Sequence, residues 1–538
     1  MGKDEETGFM KWTEEAKKAF EAVPPFVRPM AKKGVEAYAR SMGRKIITPE
    51  LLKDAKKNLM GRYGMESTDS TVNKEEPDRK ASVPATQYPN RFFAREGVDP
   101  LKYAFDRKIA VHAGAGGQAL PAEEALPTWQ ALCIKPDSSP RRTVYIHVPF
   151  CQSRCLFCGF FTHTLRQGDS ARYTDALLKE IEQTSGLPAV TGHPIHAVYL
   201  GGGTPTALDA GDLKRLIEAV CRLFPLANDC EITVEGRVSD FEQDKMQACV
   251  AGGANRFSLG VQSFNTKVRQ DVGRISDRAE VLKMLTTLTD LDNGAAIIDL
   301  IYGLPGQTMA VWEDDLRTLF EETKLDGADL YQLNVFKGSL LTRAVNQGKL
   351  PPPADIPTQA EMFLKGREMM TAACFRRLSM SHWGRTPRER NRYNTFIRYG
   401  ATCIPLGCGA GGRLHGHYFF QEGNLKTYYR RVNAGEKPVA TAILLPAHSP
   451  LFRNLVGQME NGRVNLTTLG EKHGFDLEAV FSPLLKQWEQ AGLIRRPGGG
   501  WIELTVAGEF WNVNLAQALI DHFQHYHQED AQPGSMAL

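Results

Sequence analysis

Cys151, Cys155 and Cys158 stand in a C-x₃-C-x₂-C spacing directly after the β-branched run from Thr143 to Val148. Thiolates crowded onto a loop that leaves a strand can surround one face of a metal cluster. No fourth ligand stands nearby in the sequence. A [4Fe-4S] cluster held by three cysteines keeps one iron open to a small molecule, whereas four-cysteine ligation is suited mainly to electron transfer, so the spacing points to catalysis. Two other readings stay open at this level: buried inert thiols, or half of a zinc site. Zinc sites usually pair C-x₂₋₄-C with a second Cys or His pair, and no compact partner follows here.

The string around the thiols, Tyr145-Ile-His-Val-Pro-Phe-Cys151 through Cys158-Gly, resembles the radical S-adenosylmethionine (SAM) superfamily, in the branch of oxygen-independent coproporphyrinogen III oxidase. Its Cys-Gly-Phe-Phe ending is similar to heme-utilisation enzymes of the anaerobilin synthase type. The coproporphyrinogen oxidases carry a further Cys where this chain has Phe160. The resemblance implies that Cys151, Cys155 and Cys158 bind a [4Fe-4S] cluster, and that Tyr145 and Phe157 pack ring faces against SAM. Taken alone, either aromatic reads rather as core packing. His147 reads as a residue near substrate or as a satisfied core histidine.

The elements that must position these groups follow from the patterning of residues 141 to 345. Strands are expected at 143–148, 196–200, 231–235, 256–261, 296–301 and 329–335, with amphipathic helices between them. Repeated βα units imply a parallel sheet, and six of them a partial (β/α)6 TIM-like barrel whose functional groups lie at the C-terminal strand ends. Polar motifs fall at those ends. In Gly201-Gly202-Gly203-Thr204 the missing Cβ atoms let backbone approach a ligand, and exposed N–H groups can hold a carboxylate. The resemblance assigns Gly202, Gly203 and Thr204 to the amino and carboxylate ends of SAM, and adds Glu235, Gln262, Arg274 and Asp299 to the same site. Each of these residues alone also fits a structural polar group or a helix cap.

Outside the core, residues 8–62 read as a helical module with Thr48 as N-cap and Pro49 at the first helical position. That stretch resembles the small module at the end of a light-independent protochlorophyllide reductase subunit. Residues 63–90 are polar enough to be a flexible linker. An approach segment then leads into the radical SAM core, 91–345, and residues 346–525 form a C-terminal substrate or lid domain, helix-rich and winged-helix-like towards its end. Ser381 to Asn394 is dense in arginine and aromatic residues. It reads as a propionate-binding surface with Arg385 as a candidate, or as a solvated charge run. Leu406 to Gly412 resembles the branch's G-x-G-A-G segment, which passes close to the active site.

A chain of 538 residues with 42% hydrophobic and 24% charged residues reads as a soluble protein of several domains. Its net charge of +3 gives no electrostatic ground for a nucleic-acid partner. No signal-peptide pattern or apolar run of spanning length is seen, so no membrane insertion is expected, and seven scattered cysteines besides the cluster of three fit a reducing cytoplasm. The resemblance implies an anaerobic radical SAM methyltransferase that opens the heme ring and releases iron. It implies a [4Fe-4S] cluster and SAM as cofactors, two SAM molecules in use, a heme-type substrate, and an electron donor such as flavodoxin or ferredoxin. An oxygen-independent coproporphyrinogen III oxidase and a heme chaperone of the same branch are the alternatives.

Overall fold

The computed structural model describes residues 10–20, individual positions from 32 to 44, and residues 46–60, 89–109, 111–159, 163–336 and 338–530. Phe160 and most of the expected linker lie outside the described residues.

All six expected strands form: β1 Arg142–Val148, β2 Ile195–Gly202, β3 Leu226–Arg237, β4 Arg256–Gln262, β5 Ala295–Tyr302 and β6 Gly327–Gln332. They pair in parallel and in sequence order, β1 to β6. Helices cover the outer face, among them α1 Asp169–Ser185, α2 Ala210–Leu223, α3 Gln243–Gly252, α4 Arg278–Asp290 and α5 Met309–Glu321. The result is the expected partial barrel.

Strand alternation separates two environments. Val144, Ile146, Val198, Leu200, Val234, Leu259, Ile298 and Leu330 join one apolar core with the helices. The intervening positions carry Tyr145, His147, Tyr199, Glu235, Arg256, Asp299 and Asp329. Several of these reach one another across strands, as Tyr199 reaches Glu235, so the inner face is polar. Such a lumen suits a charged ligand better than a packed core does.

The sheet extends beyond six strands. After β7 (His382–Gly384), which runs antiparallel to β6, β8 (Thr402–Leu406) pairs in parallel with the free edge of β1. Strands β9 (Gly411–Leu414), β10 (His417–Gln421) and β11 (Val439–Leu444) continue antiparallel from β8. Residues 376–444 thus flank the six-stranded core on both sides, and the short strand Gln118–Ala119 adds the last margin beside β11. Sequence patterning missed these strands because they are short and interleaved with glycines.

The last part has its own core around Leu455, Leu484, Trp488 and Trp511. Its order is helix Ser449–Glu460, strand Arg463–Asn465, helices Leu466–His473 and Leu477–Gln490, then strands Ile494–Gly498 and Trp501–Leu504. That is the order of a winged helix. Phe92 and Ala94 join this core: Trp488 Nε1 donates to Phe92 O at 3.0 Å, and Gln487 bonds both backbone groups of Ala94. A separate small cluster of Ala16, Phe20, Val35, Ala39, Ile47, Leu52 and Ala55 holds the N-terminal module. There Leu51 N donates to Thr48 Oγ1 at 3.3 Å at the start of helix Pro49–Met60.

Candidate active site

β1 ends at Val148, and the chain turns at once into the thiol loop. Cys151 and Cys155 are buried and Cys158 is half-buried. Thr204 Oγ1 donates to Cys151 Sγ at 3.4 Å. Burial pushes the Cys151 thiol up, while the Thr204 hydrogen bond and the nearby Arg237 guanidinium pull it down. Arg237 is held by Ser153, through its carbonyl at 2.7 Å and its hydroxyl at 3.2 Å. Arg274, buried and interacting electrostatically with Cys155 and Cys158, flanks the loop on another side. Two guanidinium groups therefore stand ready to balance thiolate charge. Among the described residues no three His, Cys, Asp or Glu side chains converge on a single ion. Sulfurs that bind separate irons of a cluster need not do so.

The glycine turn after β2 lies against this loop. Gly202 has φ +113°, and a Cβ there would meet the His147 ring at 2.6 Å. Gly203 donates its N–H to Val148 O at 2.7 Å, and a Cβ there would strike the Phe150 carbonyl. Only glycine lets the two loops approach so closely. Thr204, expected at SAM, spends its hydroxyl on Cys151 in this structure. Glu235 accepts from Tyr199 OH at 2.5 Å and from Gly202 N at 3.2 Å. Burial raises its pKa, and these two bonds oppose the rise.

Gln262 sits at an irregularity in the β4–β5 pairing, where the register skips a residue between Asp299 and Leu300, and it takes φ +73°. A non-glycine residue held there is strained, and such strain collects at functional positions. Buried Arg269 fixes this turn: its guanidinium bonds the carbonyls of Val261, Ser263 and Ser276. Gln262 Oε1 and Arg274 Nε are both buried without a hydrogen-bond partner among the described residues. Asp299 is half-buried on the lumen face of β5, and among the described residues no chain donor bonds its carboxylate. Burial, then Asp329 and Glu235, raise its pKa to about 7, against the pull of Arg256 and Arg274.

Tyr145 lies inside the barrel, its ring centroid 6.4 Å from that of Tyr199 and 6.2 Å from that of Tyr393. Its OH lies 3.0 Å from His147 Nδ1. Burial and His163 push His147 down to about 4, so its imidazole is neutral near pH 7. The Leu406–Gly412 segment closes over it: a Cβ on Gly409 would lie 3.8 Å from His147 Nε2. Phe157 is placed differently from the other candidates, half-buried against the apolar cluster of Val268, Val272, Ile301 and Leu341.

Of the two readings of the arginine run, the contacts favour the solvated charge run. Arg385 is exposed, and its guanidinium bonds Thr323 O at 2.9 Å, ahead of β6. Arg388 bonds Asp292 at 2.6 Å, ahead of β5, and Arg392 bonds Asp229 near the start of β3. These arginines belong to the N-terminal rim of the barrel, opposite the thiol loop, where acidic turn residues attract them. The same run brings two buried groups that sequence reasoning passed over. His382 lies 2.7 Å from Asp329 and 3.0 Å from Glu389, and Glu389 takes both oxygens to Arg256 Nε, at 3.2 and 3.0 Å. A polar residue at every second position of an otherwise apolar strand is the signal that would have found Arg256 and Asp329.

Comparison with known proteins adds to this geometry. The Radical SAM superfamily profile matches residues 145–319, and the profile of the proto-chlorophyllide reductase 57 kD subunit matches residues 12–56. An anaerobilin synthase of Escherichia coli O157:H7 is 41% identical over 435 residues, 80% of this chain and 95% of that protein. A heme chaperone HemW of Synechocystis is 31% identical, covering 53% of this chain and 69% of its own. In fold, the solved coproporphyrinogen III oxidase HemN of Escherichia coli superposes with a TM-score of 0.63 at 24% identity, over 74% of this chain and 93% of that one.

Proposed function

The chain belongs to the radical SAM superfamily and, within it, to the anaerobilin synthase family, and on that premise we propose that it degrades heme in the absence of oxygen. In this reading a methyl group passes from SAM to the tetrapyrrole, the macrocycle opens and iron leaves. The observation that carries the reading is the largely buried three-thiol loop between two guanidinium groups, beside polar atoms of Gln262 and Arg274 that have no hydrogen-bond partner among the described residues.

Cys151, Cys155 and Cys158 would hold a [4Fe-4S] cluster, and the donor chemistry fits: three sulfurs, no fourth thiol on the loop, and nearby positive charge. When bound, the cluster and SAM supply one-electron reductive cleavage of a sulfonium carbon–sulfur bond, and with it a reactive carbon radical. The protein's own residues do the rest. Gly202 and Gly203 let the turn close onto the thiol loop, and Arg274 and Gln262 offer a donor and an acceptor to the polar ends of SAM. Asp299, a half-buried carboxylate on the lumen face, would face the cationic portion of a bound SAM. Tyr145 and Glu235 line the inner wall.

At and just beyond the C-terminal end of β6, Tyr331, Val335 and Phe336 keep 39%, 45% and 42% of their surface uncovered. A flat apolar macrocycle has a surface to rest on there, and rings of this size gain most from aromatic contact. The electron arrives from an external donor such as flavodoxin or ferredoxin.

The test is turnover. Anaerobically reconstituted full-length protein, given heme, SAM and a reductant, is expected to yield a methylated, ring-opened product and free iron. Heme recovered unchanged on the protein would overturn the reading in favour of a chaperone. Carbon dioxide released from coproporphyrinogen would overturn it in favour of a decarboxylating oxidase.

A further inference from the structure

Four charged side chains cross the lumen in one row. Pairing places Asp299 on β5 directly beside Asp329 on β6, and Asp329 directly beside His382 on β7. On the other side Asp299 is in register with Gly260 of β4, where a Cβ would meet Arg274 Nη2 at 3.0 Å. The guanidinium thus occupies the space that a larger residue at 260 would fill. Read across the sheet, the order is Arg274, Asp299, Asp329, His382, with two like charges in the middle and a cation at each end.

The two carboxylates are not equivalent. Asp329 is buried, 2.7 Å from His382 Nδ1, and also accepts from Ser381 Oγ at 3.3 Å. Asp299 has no such bond and faces the lumen. His382 has a carboxylate at each ring nitrogen, and these two partners raise it to about 9 against the effect of burial, so it is a cation near neutral pH. A cation clamped to Asp329 fixes the negative charge there and leaves Asp299, one strand away, to carry whatever proton the pair keeps.

We propose that His382 is a positioning residue for the SAM-facing carboxylate: by pairing with Asp329 it makes Asp299 the proton-holding member of the pair, so that SAM binding expels that proton to solvent. This rests on the reading of Asp299 as part of the SAM site. The balance is simple: protonated Asp299 loses one proton to bulk water, and its carboxylate then faces the cation. The charged groups facing Asp299 are Asp329 and Glu235, which favour its protonated form, and Arg256 and Arg274, which oppose it; the Tyr199 and Tyr331 phenols also interact with it and stay neutral over this pH range because burial pushes both well up. His382 faces Asp329 and Glu389, with Arg256 behind Glu389. With His382 neutralised, Asp329 has no cation of its own while Asp299 keeps Arg274, and Asp299 loses its preference for the proton.

The experiment is calorimetry of SAM binding to the reconstituted full-length holoprotein at pH 6.5, in two buffers of different ionisation enthalpy, together with Kd from pH 5.5 to 8.5. Wild type should release more than half a proton, and its Kd should fall up to about tenfold for each unit that pH rises toward neutrality, the limit for one linked proton. His382→Gln should bind SAM with less than half that release and a midpoint at least one unit lower. Asp329→Asn should do the same, and the double variant should add nothing further. If Asp329→Asn or a folded His382→Gln keeps the wild-type release and midpoint, the inference falls. Wild-type binding without any proton release overturns it too. Failure of wild type to bind SAM at all would instead sink the functional reading beneath it.

Discussion

Thr204 donates its hydroxyl to the Cys151 sulfur at 3.4 Å, and this contact joins the glycine turn after β2 to the thiol loop after β1. Hydrogen bonds to cluster sulfurs stabilise the more negative, reduced state and so raise the potential. Thr204→Val keeps the volume and removes the donor. Reconstituted T204V should retain its iron and show a more negative midpoint in a dye-mediated titration followed by electron paramagnetic resonance. An unchanged midpoint would remove Thr204 from the set of groups that tune the thiol pocket.

Each of Cys151→Ala, Cys155→Ala and Cys158→Ala should reduce bound iron and SAM cleavage to background together. Cys408→Ala should leave both intact, because that thiol is buried beneath α1, where Tyr173 OH accepts from its backbone N–H. Iron and sulfide counts per chain, with 5′-deoxyadenosine measured by chromatography, decide this. A cysteine variant that kept full SAM cleavage would exclude its sulfur as a ligand.

Glu180 of α1 is buried and anchors the loop over His147. Its carboxylate accepts from Lys437 Nζ at 2.7 Å, Tyr428 OH at 2.7 Å and Gly407 N at 2.9 Å. Glu180→Ala strips a buried ammonium of its partner, a change that costs about 3 kcal/mol or more. Urea unfolding should show the lower midpoint, and Lys437→Met in the same background should restore part of the loss.

The ion pairs on the barrel's inner face carry a pH signature. His382 is raised in the folded state, so its contribution to stability is full below about pH 6.5 and fades as pH rises through about 9. Glu389, lowered to about 2 because Arg256 and His382 outweigh its burial, contributes fully above about pH 4.5 and loses that contribution as pH falls through about 2. Urea midpoints of wild type should therefore drop between pH 7 and 9.5. The drop should be smaller in His382→Gln.

Arg385→Ala should leave heme affinity within about twofold of wild type, the scale of a surface change of roughly 0.5 kcal/mol. Its guanidinium bonds a backbone carbonyl ahead of β6, at the far rim from the thiols. A fluorescence-quenching titration with heme measures this, and a tenfold loss would put the macrocycle at that rim.

The core strands were legible because each is a local pattern: a run such as Thr143 to Val148 or Ala295 to Tyr302 announces itself through β-branched residues and the Pro149 or Gly303 that follows. The thiol spacing and the glycine turn are equally local. What escaped detection depends on distant partners. Thr204 meets Cys151 across 53 positions, and His382 meets Asp329 across 53, so only the register of the assembled sheet brings either pair together. The arginines of 385–392 look the same in sequence whichever rim they occupy. Their acidic partners at Asp229 and Asp292 lie about a hundred residues or more away, and nothing local indicates them. The margins β7 to β11 are too short to stand out from loops.

Because β8 closes the open side of β1, the strand that presents the thiols waits for a partner 259 residues downstream, as the Thr143–Thr402 hydrogen bond records. A ribosome adding about 5–20 residues per second needs roughly 10 to 50 seconds to supply it. Through that interval the nascent chain has an uncovered strand edge next to its reactive sulfurs, the kind of edge along which unfinished polypeptides stick together.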